Sequence, residues 1–577
     1  MRWLLPKSAS DTPLSETADQ LAVELGIHRV AARVLVQRGY DDADKVRHFL
    51  SDELSALPDP SLMKGLDPAV ERLCRAVVNR EQITLWGDYD VDGVSSTSLL
   101  STFLRTVGAN VATYIPHRLG EGYGLNVKSI ERIAGDGTRL LVTLDCGITS
   151  HAEIARANAL GLECIVVDHH AVPETMPPAL AVLNPLQPGC EYPTKYLCAA
   201  GVAFNLAIGI RRALRKNGWF NETRPEPNLK EYLDLVALAT VADVVPLLGV
   251  NRLFVRHGLK ELSKGRRPGV KALKFVCGLT GHDVTSGDVG FRLGPRINAA
   301  GRLDDAALGL KCLTAKTYEE ALPLARALDA ANAERQAIEK QILEQALEQA
   351  EARIAYGAKG LVLHAEGWHP GVVGIVASRV VDRFHRPTVV VGVWEGLGRG
   401  SARSIERFHL YDSLKLCSGH LTKFGGHKHA AGLSIMPDRL PGFVAAFEQI
   451  AAERLTDEDL VPRCKVDAVV APGELDLEAV EALKVLAPFG AANPEPVLAT
   501  CGVVAAPKVV QAKKEGMEGH LKLQLEANPS LDVIGFQLAS RIGLTEGPID
   551  LAFKAGIDEW NGNKRVSLKL KDLRSAA

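Results

Sequence analysis

From about residue 80 onward, short apolar runs alternate with longer segments of helical spacing. Ile83–Trp86, Val111–Ile115, Leu140–Leu144 and Cys164–Val167 read as buried strands, and Ser95–Leu104 between the first two reads as a helix that opens with hydroxyl residues. A strand-helix-strand series predicts a parallel sheet and an α/β fold. The apolar stretch Tyr232–Ala239 extends that sheet-like series. Tyr318–Ile354, rich in Ala, Glu, Gln and Leu, predicts one long helix. Leu361–His364, Val372–Arg383 and Thr388–Val393 then predict a second, smaller α/β domain. From about Arg463 the texture changes to short β-rich runs, among them Val503–Val510, Leu521–Leu525, Val533–Phe536 and Val566–Leu570, punctuated by Gly, Pro, Asn and Asp. That texture predicts a small β-barrel. Before residue 80, Ala18–Leu25 and Ala31–Val36 predict small helices. The expected segments are 1–75 (helical), 76–315 (parallel sheet), 316–356 (connecting helix), 357–457 (second α/β domain) and 458–577 (barrel).

Composition narrows the class without naming the chemistry. A chain of 577 residues with 46% hydrophobic and 24% charged residues is an ordinary globular protein of several domains. Its formal net charge of -2 excludes a uniformly basic nucleic-acid binder, so any polyanion must be met by local patches. Ile210–Lys216 and Ser263–Arg267 are such basic clusters, each readable also as a solvated face. The start of the chain lacks a signal-peptide pattern and no run of 18 or more apolar residues follows, which predicts a cytoplasmic protein without a membrane partner. Ten cysteines without a Cys-x-x-Cys pair, and no His-Glu-x-x-His, indicate neither a disulfide framework nor a zinc site. Cys146 and Cys164 read as core thiols.

The candidate chemistry lies where the apolar runs end. Trp86–Thr97 sets Asp88, Asp90 and Asp92 on alternate residues after a strand and closes them with Gly93. Three carboxylates so close repel one another, and hard divalent cations such as Mg²⁺ or Mn²⁺ would relieve that repulsion. An EF-hand loop begins alike but needs a Glu at its twelfth position, where this chain has Leu99. A haloacid-dehalogenase-type phosphatase would use Asp90 and Asp92 as its pair, but Gly87, Asp88 and Tyr89 intervene after the strand. A solvated acidic turn is the plain alternative. Asp145, then Asp168-His169-His170, then Asp243 follow later apolar segments, so acids or imidazoles recur at four places in one series.

Taken in order and spacing, GDYDVDG (87–93), LDCG (144–147), DHH (168–170) and TVADVVPL (240–247) resemble the motifs of the DHH phosphoesterase superfamily. GPRINAAGR (294–302), GWHPGVVGIVASR (367–379), GSARS (400–404) and GGHKHAAG (425–432) are similar to its single-stranded-DNA-specific exonuclease branch. The resemblance implies a DHH domain, a DHHA1 domain joined to it by the long helix, and a C-terminal OB-like barrel. It implies a 5′-to-3′ exonuclease with two Mg²⁺ or Mn²⁺ ions on Asp88, Asp90, Asp145, His169 and Asp243, Asp145 bridging them. Asp92 and Asp168 would orient these ligands, and His170 would support the site or touch phosphate. Arg296 and Arg302, with Asn298 between, match the motif at the scissile phosphate. Arg118, Ser401 and Arg403 resemble a pocket for a 5′-phosphate, and His369 and His427 would approach the nucleic acid. Implied partners are single-stranded DNA, a helicase and a single-strand-binding protein, the enzyme itself being a monomer in repair and recombination. In Ala487–Pro496 the family pattern expects glycine where Ala492 stands. A phosphoesterase of short oligonucleotides or cyclic dinucleotides, or a non-catalytic DNA-binding scaffold, shares the fold.

Overall fold

The computed structural model describes residues 1–6, 12–117, 121, 124–303, 306–512, 518–560 and 562–576. Its contacts divide the chain into two compact units, one of Leu57–Val245 and His257–Val461, the other of Met1–Ala56, Pro246–Arg256 and Pro462–Ala577.

In the first unit β1 (Gln82–Gly87), β2 (Asn110–Tyr114), β3 (Leu140–Leu144), β4 (Glu163–Val167) and β5 (Ala181–Leu183) form a parallel sheet in the order β2-β1-β3-β4-β5. The strands are apolar without alternation because β1, β3 and β4 are covered on both faces, with Leu85, Val142 and Val166 fully buried. The fifth strand has three residues, too few to leave a pattern in the sequence. The strand order reverses between β1 and β3, and the crevice at that switch point is where such sheets bind ligands.

Helix α1 (Val91–Thr106) starts inside the acidic motif, four residues before the expected Ser95. Asp90 is its cap, its carboxylate accepting the amides of Asp92 at 2.9 Å and Gly93 at 3.2 Å. Glycine is required at 93, since a Cβ there would lie 2.4 Å from the Asp88 carbonyl oxygen. The buried hydroxyls of Ser96, Thr97 and Ser98 donate to carbonyls of their own helix at 3.1, 2.7 and 2.7 Å, which lets a polar-looking helix sit in the core. They are thereby spent inside the helix rather than offered to phosphate. Helix α2 (Ala199–Lys216) follows the sheet. The segment expected to extend the sheet-like series is instead helix α3 (Leu233–Ala242). It is buried from Leu233 to Thr240, so its apolar residues carry no period that separates helix from strand.

A π-helical turn (Val289–Leu293) runs into α4 (Gly294–Leu303), and α5 (Tyr318–Ala355) is the 38-residue connecting helix. Beyond it, β6 (Leu361–Glu366), α6 (Val373–Phe384), β7 (Thr388–Trp394), β8 (Leu397–Arg403), β9 (Lys423–Gly426) and β10 (Ala430–Ile435) form the second α/β domain. Its sheet runs β9-β10-β8-β7-β6 and is parallel only between β6 and β7. Ile342, Ala346 and Ala350 of α5 share a core with Leu361, Val373 and Val376.

The other unit holds a seven-stranded sheet whose longest strands, Ile549–Trp560 and Asn563–Ser575, pair antiparallel. The expected single run Val503–Val510 breaks at Val504 into two strands, Leu498–Val503 and Ala505–Val510. Helices Arg29–Gln37 and Ala43–Leu50 bury Val34, Leu35 and Val46 in one core with Leu498, Leu523, Leu551 and Leu568. Ala492 has φ 59, the left-handed conformation that explains the expectation of glycine there. The ten cysteines are free thiols and only Cys501 is exposed. No described helix is long and apolar enough to cross a membrane.

Candidate metal centre

Three acids continue the strands of the parallel sheet at its switch-point edge. The amides of Asp88, Asp145 and Asp168 donate to Leu144, Val167 and Leu183 carbonyls at 3.2, 3.0 and 3.0 Å, so each carboxyl leaves the sheet where its strand ends. Asp145 has φ 64, a left-handed conformation that Asp tolerates better than most residues. The turn behind it is tight: Thr143 Oγ1 donates to the Cys146 carbonyl at 2.8 Å, and a Cβ at Gly147 would meet that hydroxyl at 2.5 Å. Helix α3 delivers the remaining acid, Asp243, at its C-terminal cap. Val244 beyond it is exposed and left-handed at φ 59, a strained state for a β-branched residue and a mark of functional sites.

These side chains converge. Asp88, Asp90 and Asp145 present ligand atoms within 4.8 Å of one another, as do Asp145, His169 and His170, and Asp92, His169 and Asp243. His169 Nε2 lies 3.2 Å from Asp145, 3.6 Å from Asp92 and 3.6 Å from Asp243. Burial, then the charges of Asp92, Asp90, Asp88 and Asp243, holds the Asp145 carboxyl well above the usual range. Burial followed by Asp90 raises Asp92 to about 7, and burial followed by Asp92 and Asp90 raises Asp243 to about 8. His169 is pushed down to about 4 by burial and then by neighbouring His170. For His170 burial works the other way, yet the hydrogen bond and charge of Asp168 carry it up to about 9. A crowd of buried carboxyls that resist ionisation, with one neutral imidazole nitrogen among them, is a donor set for hard divalent cations, whose charge would cancel the repulsion.

Asp168 is occupied otherwise. One oxygen accepts the His169 amide at 2.7 Å, the His170 amide at 3.1 Å and His170 Nδ1 at 2.7 Å, and the other accepts the Ile148 amide at 3.0 Å. Asp92 receives the amides of Ala199 and Ala200 at 2.6 and 2.8 Å, at the start of α2. Asn298 accepts the Val91 amide at 3.1 Å and so ties α4 to the first motif. Arg302 donates to the Gly371 carbonyl at 3.0 Å, while Arg296 is paired with Asp329 of α5 at 2.8 Å. On β8, Arg403 Nη1 donates to Ser401 Oγ at 3.0 Å and to the Ala402 carbonyl at 2.9 Å, and burial lowers its pKa. A Cβ at Gly374, near the start of α6, would meet Ser401 Oγ at 2.9 Å and Arg403 Nη2 at 3.4 Å. His369 accepts the Gly371 amide at 3.1 Å. His427 is exposed in the turn between β9 and β10, and Arg118 lies outside the described residues.

Six side chains of the basic clusters are held in ion pairs: Arg211 and Arg215 pair with Glu226, Arg212 with Asp59, Lys264 with Glu261, Arg266 with Glu231 and Arg267 with Asp234. Sequence patterning did not single out the buried pair Arg335–Glu339, nor Arg379, which is 3.3 Å from Glu339. Their signal was a polar stripe, Asn332, Arg335 and Glu339, at helical spacing on an otherwise Ala-rich buried face.

The chain matches the DHH family, N-terminal domain, over residues 82–240, the DHHA1 domain over 357–453 and the RecJ OB domain over 466–572. It is 37% identical over 576 residues to the single-stranded-DNA-specific exonuclease RecJ of Escherichia coli (strain K12), spanning 97% of this chain and 98% of that one. Identity to the protein of the same name from Thermus thermophilus is 34%, over 100% of this chain and 79% of that one. The crystal structure of that RecJ in complex with Mn²⁺ superposes with a TM-score of 0.82 at 32% identity, covering 100% of this chain and 80% of the other. Its complex with Mg²⁺ gives 0.77 at 30% identity, over 100% and 79%.

Proposed function

Since the chain belongs to the RecJ family of single-stranded-DNA-specific exonucleases, we propose that it releases mononucleotides from the 5′ end of single-stranded DNA, using two Mg²⁺ or Mn²⁺ ions held by Asp88, Asp90, Asp145, His169 and Asp243. The observation that carries this reading is Asp145, common to two donor groups at the switch point of the sheet. When bound, such a cation pair stabilises both the attacking and the leaving oxygen of an in-line displacement.

The chain's own side chains do the rest. Asp145, shared by two donor groups, would hold both ions, and Asp92 and Asp168 fix the segments that carry its neighbours. His169, neutral at pH 7, keeps Nε2 as a ligand atom, whereas His170 stays protonated with Nδ1 bonded to Asp168, and its Nε2 is the nitrogen that would donate to a phosphate oxygen. Arg302 adds a cationic fork beside the scissile phosphate and Arg296, held by Asp329 through Nε, a second positive charge, with Asn298 holding α4 in place. Arg403 is supported as a 5′-phosphate ligand by its bonding: among the described residues its guanidinium meets only neutral acceptors, Ser401 Oγ and the Ala402 carbonyl. A half-buried cation of that kind favours an anion. Arg118, His369 and His427 complete the contacts to the strand. A pocket that must hold a chain end makes the enzyme an exonuclease.

Digestion of end-labelled oligonucleotides, single and double stranded, with Mg²⁺, Mn²⁺ or chelator tests this. A 5′ label should leave at once as mononucleotide, a 3′ label should shorten stepwise, and chelator should stop both. Equal digestion of duplex ends would contradict the reading, and turnover restricted to very short oligonucleotides would point to the related phosphoesterases. Because the end must be unpaired, a helicase and a single-strand-binding protein are the partners this chemistry calls for, and the enzyme acts as a cytoplasmic monomer.

A further inference from the structure

Val244 stands just past the C-terminal cap of α3, with φ 59 and 69% of its surface exposed. Glycine is the usual residue at such a position, because it enters the left-handed region freely, and valine, branched at Cβ, is among the residues least suited to it. Its methyl groups also stand in water. The side chain thus gains no burial to offset its backbone strain. The conformation is fixed by the neighbours: the amides of Asp243 and Val244 donate to the Ala239 and Val241 carbonyls at 2.9 and 3.3 Å, and Val245 packs on Cys198, Ala200 and Ala239. Of two adjacent valines, one is drawn into a core and the other is held out of it.

Val244 also lies at the open side of the candidate centre. The side chain of Asp243 is 24% exposed and that of Asp145 only 3%, so a phosphodiester meets the acids from the side of Asp243. The next Cα along the backbone is about 3.8 Å away, which sets Val244 beside whatever group that phosphodiester carries. The nearest such group is sugar, since only the C3′–O3′ unit separates C2′ of the terminal nucleotide from the scissile phosphorus. Phosphate oxygens and base edges are polar, whereas C2′ of deoxyribose is a methylene that an isopropyl group can cover without stripping water from a polar atom. Ribose carries a hydroxyl on that carbon. Against two methyl groups the hydroxyl would lose its water and find no acceptor.

We propose that the Val244 side chain packs on C2′ of the terminal deoxyribose and so sets the selection of DNA over RNA at the cut. The proposal rests on the exonuclease reading above and deepens it. It also gives the strain a purpose: a residue that relaxed into the usual backbone region would not present its side chain at that place.

The test follows the first cleavage, in Mn²⁺, of a 5′-phosphorylated oligodeoxycytidylate and of the same strand with ribose in its first or its third nucleotide. The full-length parent is compared with Val244→Gly and Val244→Asn. For the parent, ribose in the first nucleotide should lower kcat/KM about tenfold or more, and ribose in the third should leave it within about twofold. Both variants should cut the first-ribose strand within about threefold of the all-deoxy strand, glycine by admitting water to the hydroxyl and asparagine by offering it an acceptor. Val244→Gly should melt no lower than the parent, because glycine takes the left-handed backbone without strain. A lower melting temperature would show that the side chain serves the fold instead. Equal cutting of all three strands by the parent, an equal penalty at the third nucleotide, or a first-ribose penalty that survives in both variants overturns the sugar contact while leaving the exonuclease reading intact. A parent that fails to cut the all-deoxy strand removes the exonuclease reading and the sugar contact with it.

Discussion

At the scale of the residue, the candidate centre is an arrangement of charges that is costly without cations. Asp145 stands at its middle in a left-handed conformation, buried among Asp88, Asp90, Asp92 and Asp243. Asp145→Asn keeps the shape and removes the charge. Hydrolysis should fall by about 10³-fold or more, since the loss of a cation ligand costs several kcal/mol of transition-state stabilisation. In chelator the same variant should melt at a higher temperature than the parent, because one repelling carboxylate is gone, and an unchanged or lower melting temperature would show that the acids do not oppose one another. A pH dependence follows from the same groups. Asp92 and Asp243 ionise at about 7 and about 8 in the folded chain against an ordinary 3.8, and His170 loses its proton at about 9 against 6.5. Where the folded state holds protons that the unfolded state has lost, stability falls as pH rises. His169, lowered to about 4 from 6.5, works oppositely but only below 6.5. Melting temperature in chelator should therefore decline between about pH 6.5 and 9, and Mn²⁺ should reduce the decline; a flat profile in chelator would refute this. The acids were legible in the sequence because each ends an apolar run. The opposite protonation of His169 and His170 was not, because it depends on where Asp168 directs its oxygens.

At the scale of the element, the first motif works because a helix begins inside it. Asp90 caps α1 and the backbone at Gly93 passes so close to Asp88 that no side chain fits between them. Gly93→Ala should shift Asp88 relative to Asp145, weaken cation binding by at least about tenfold in calorimetric titration and lower hydrolysis at limiting Mn²⁺, with recovery at high Mn²⁺. Cation affinity equal to that of the parent would mean that the contact is not what positions Asp88. The motif's spelling was readable, but the helix start was not, because Val91, Asp92 and Gly93 look like loop until the cap at Asp90 is seen to reach the amides of Asp92 and Gly93. The same limit applies to α3, where a fully buried segment gives hydrophobic periodicity nothing to detect. The long helix α5 was readable almost to the residue, since its exposed positions carry the charges that a buried helix lacks.

At the scale of the whole molecule, the least legible feature is which distant segments share a core. The sequence marks residues 18–50 as amphipathic helices but gives no sign of what covers them, and the structure pairs them with residues more than 400 positions away. Arg38 bonds Asp467 at 3.0 and 3.1 Å, Asn493 at 2.8 Å and the Pro494 carbonyl at 2.8 Å. Arg252, only 2% exposed, joins all three stretches of this unit: it donates to the Phe49 carbonyl at 2.9 Å, to Leu486 at 2.8 Å and to Val485 at 2.9 Å, and its guanidinium lies over the Phe49 ring. Deleting residues 462–577 is therefore a poor probe of the barrel, because it also uncovers Val34, Leu35 and Val46. Arg252→Met is a finer one. It keeps much of the volume and the contact with Phe49 but leaves three carbonyls without this donor, at a cost of about 3 kcal/mol. Amide hydrogen exchange should quicken in residues 30–50 and 498–573, while the parallel sheet from Gln82 to Val167, whose core is its own, stays protected. Equal loss of protection in that sheet would mean that the chain unfolds as one cooperative body and that Arg252 stabilises all of it.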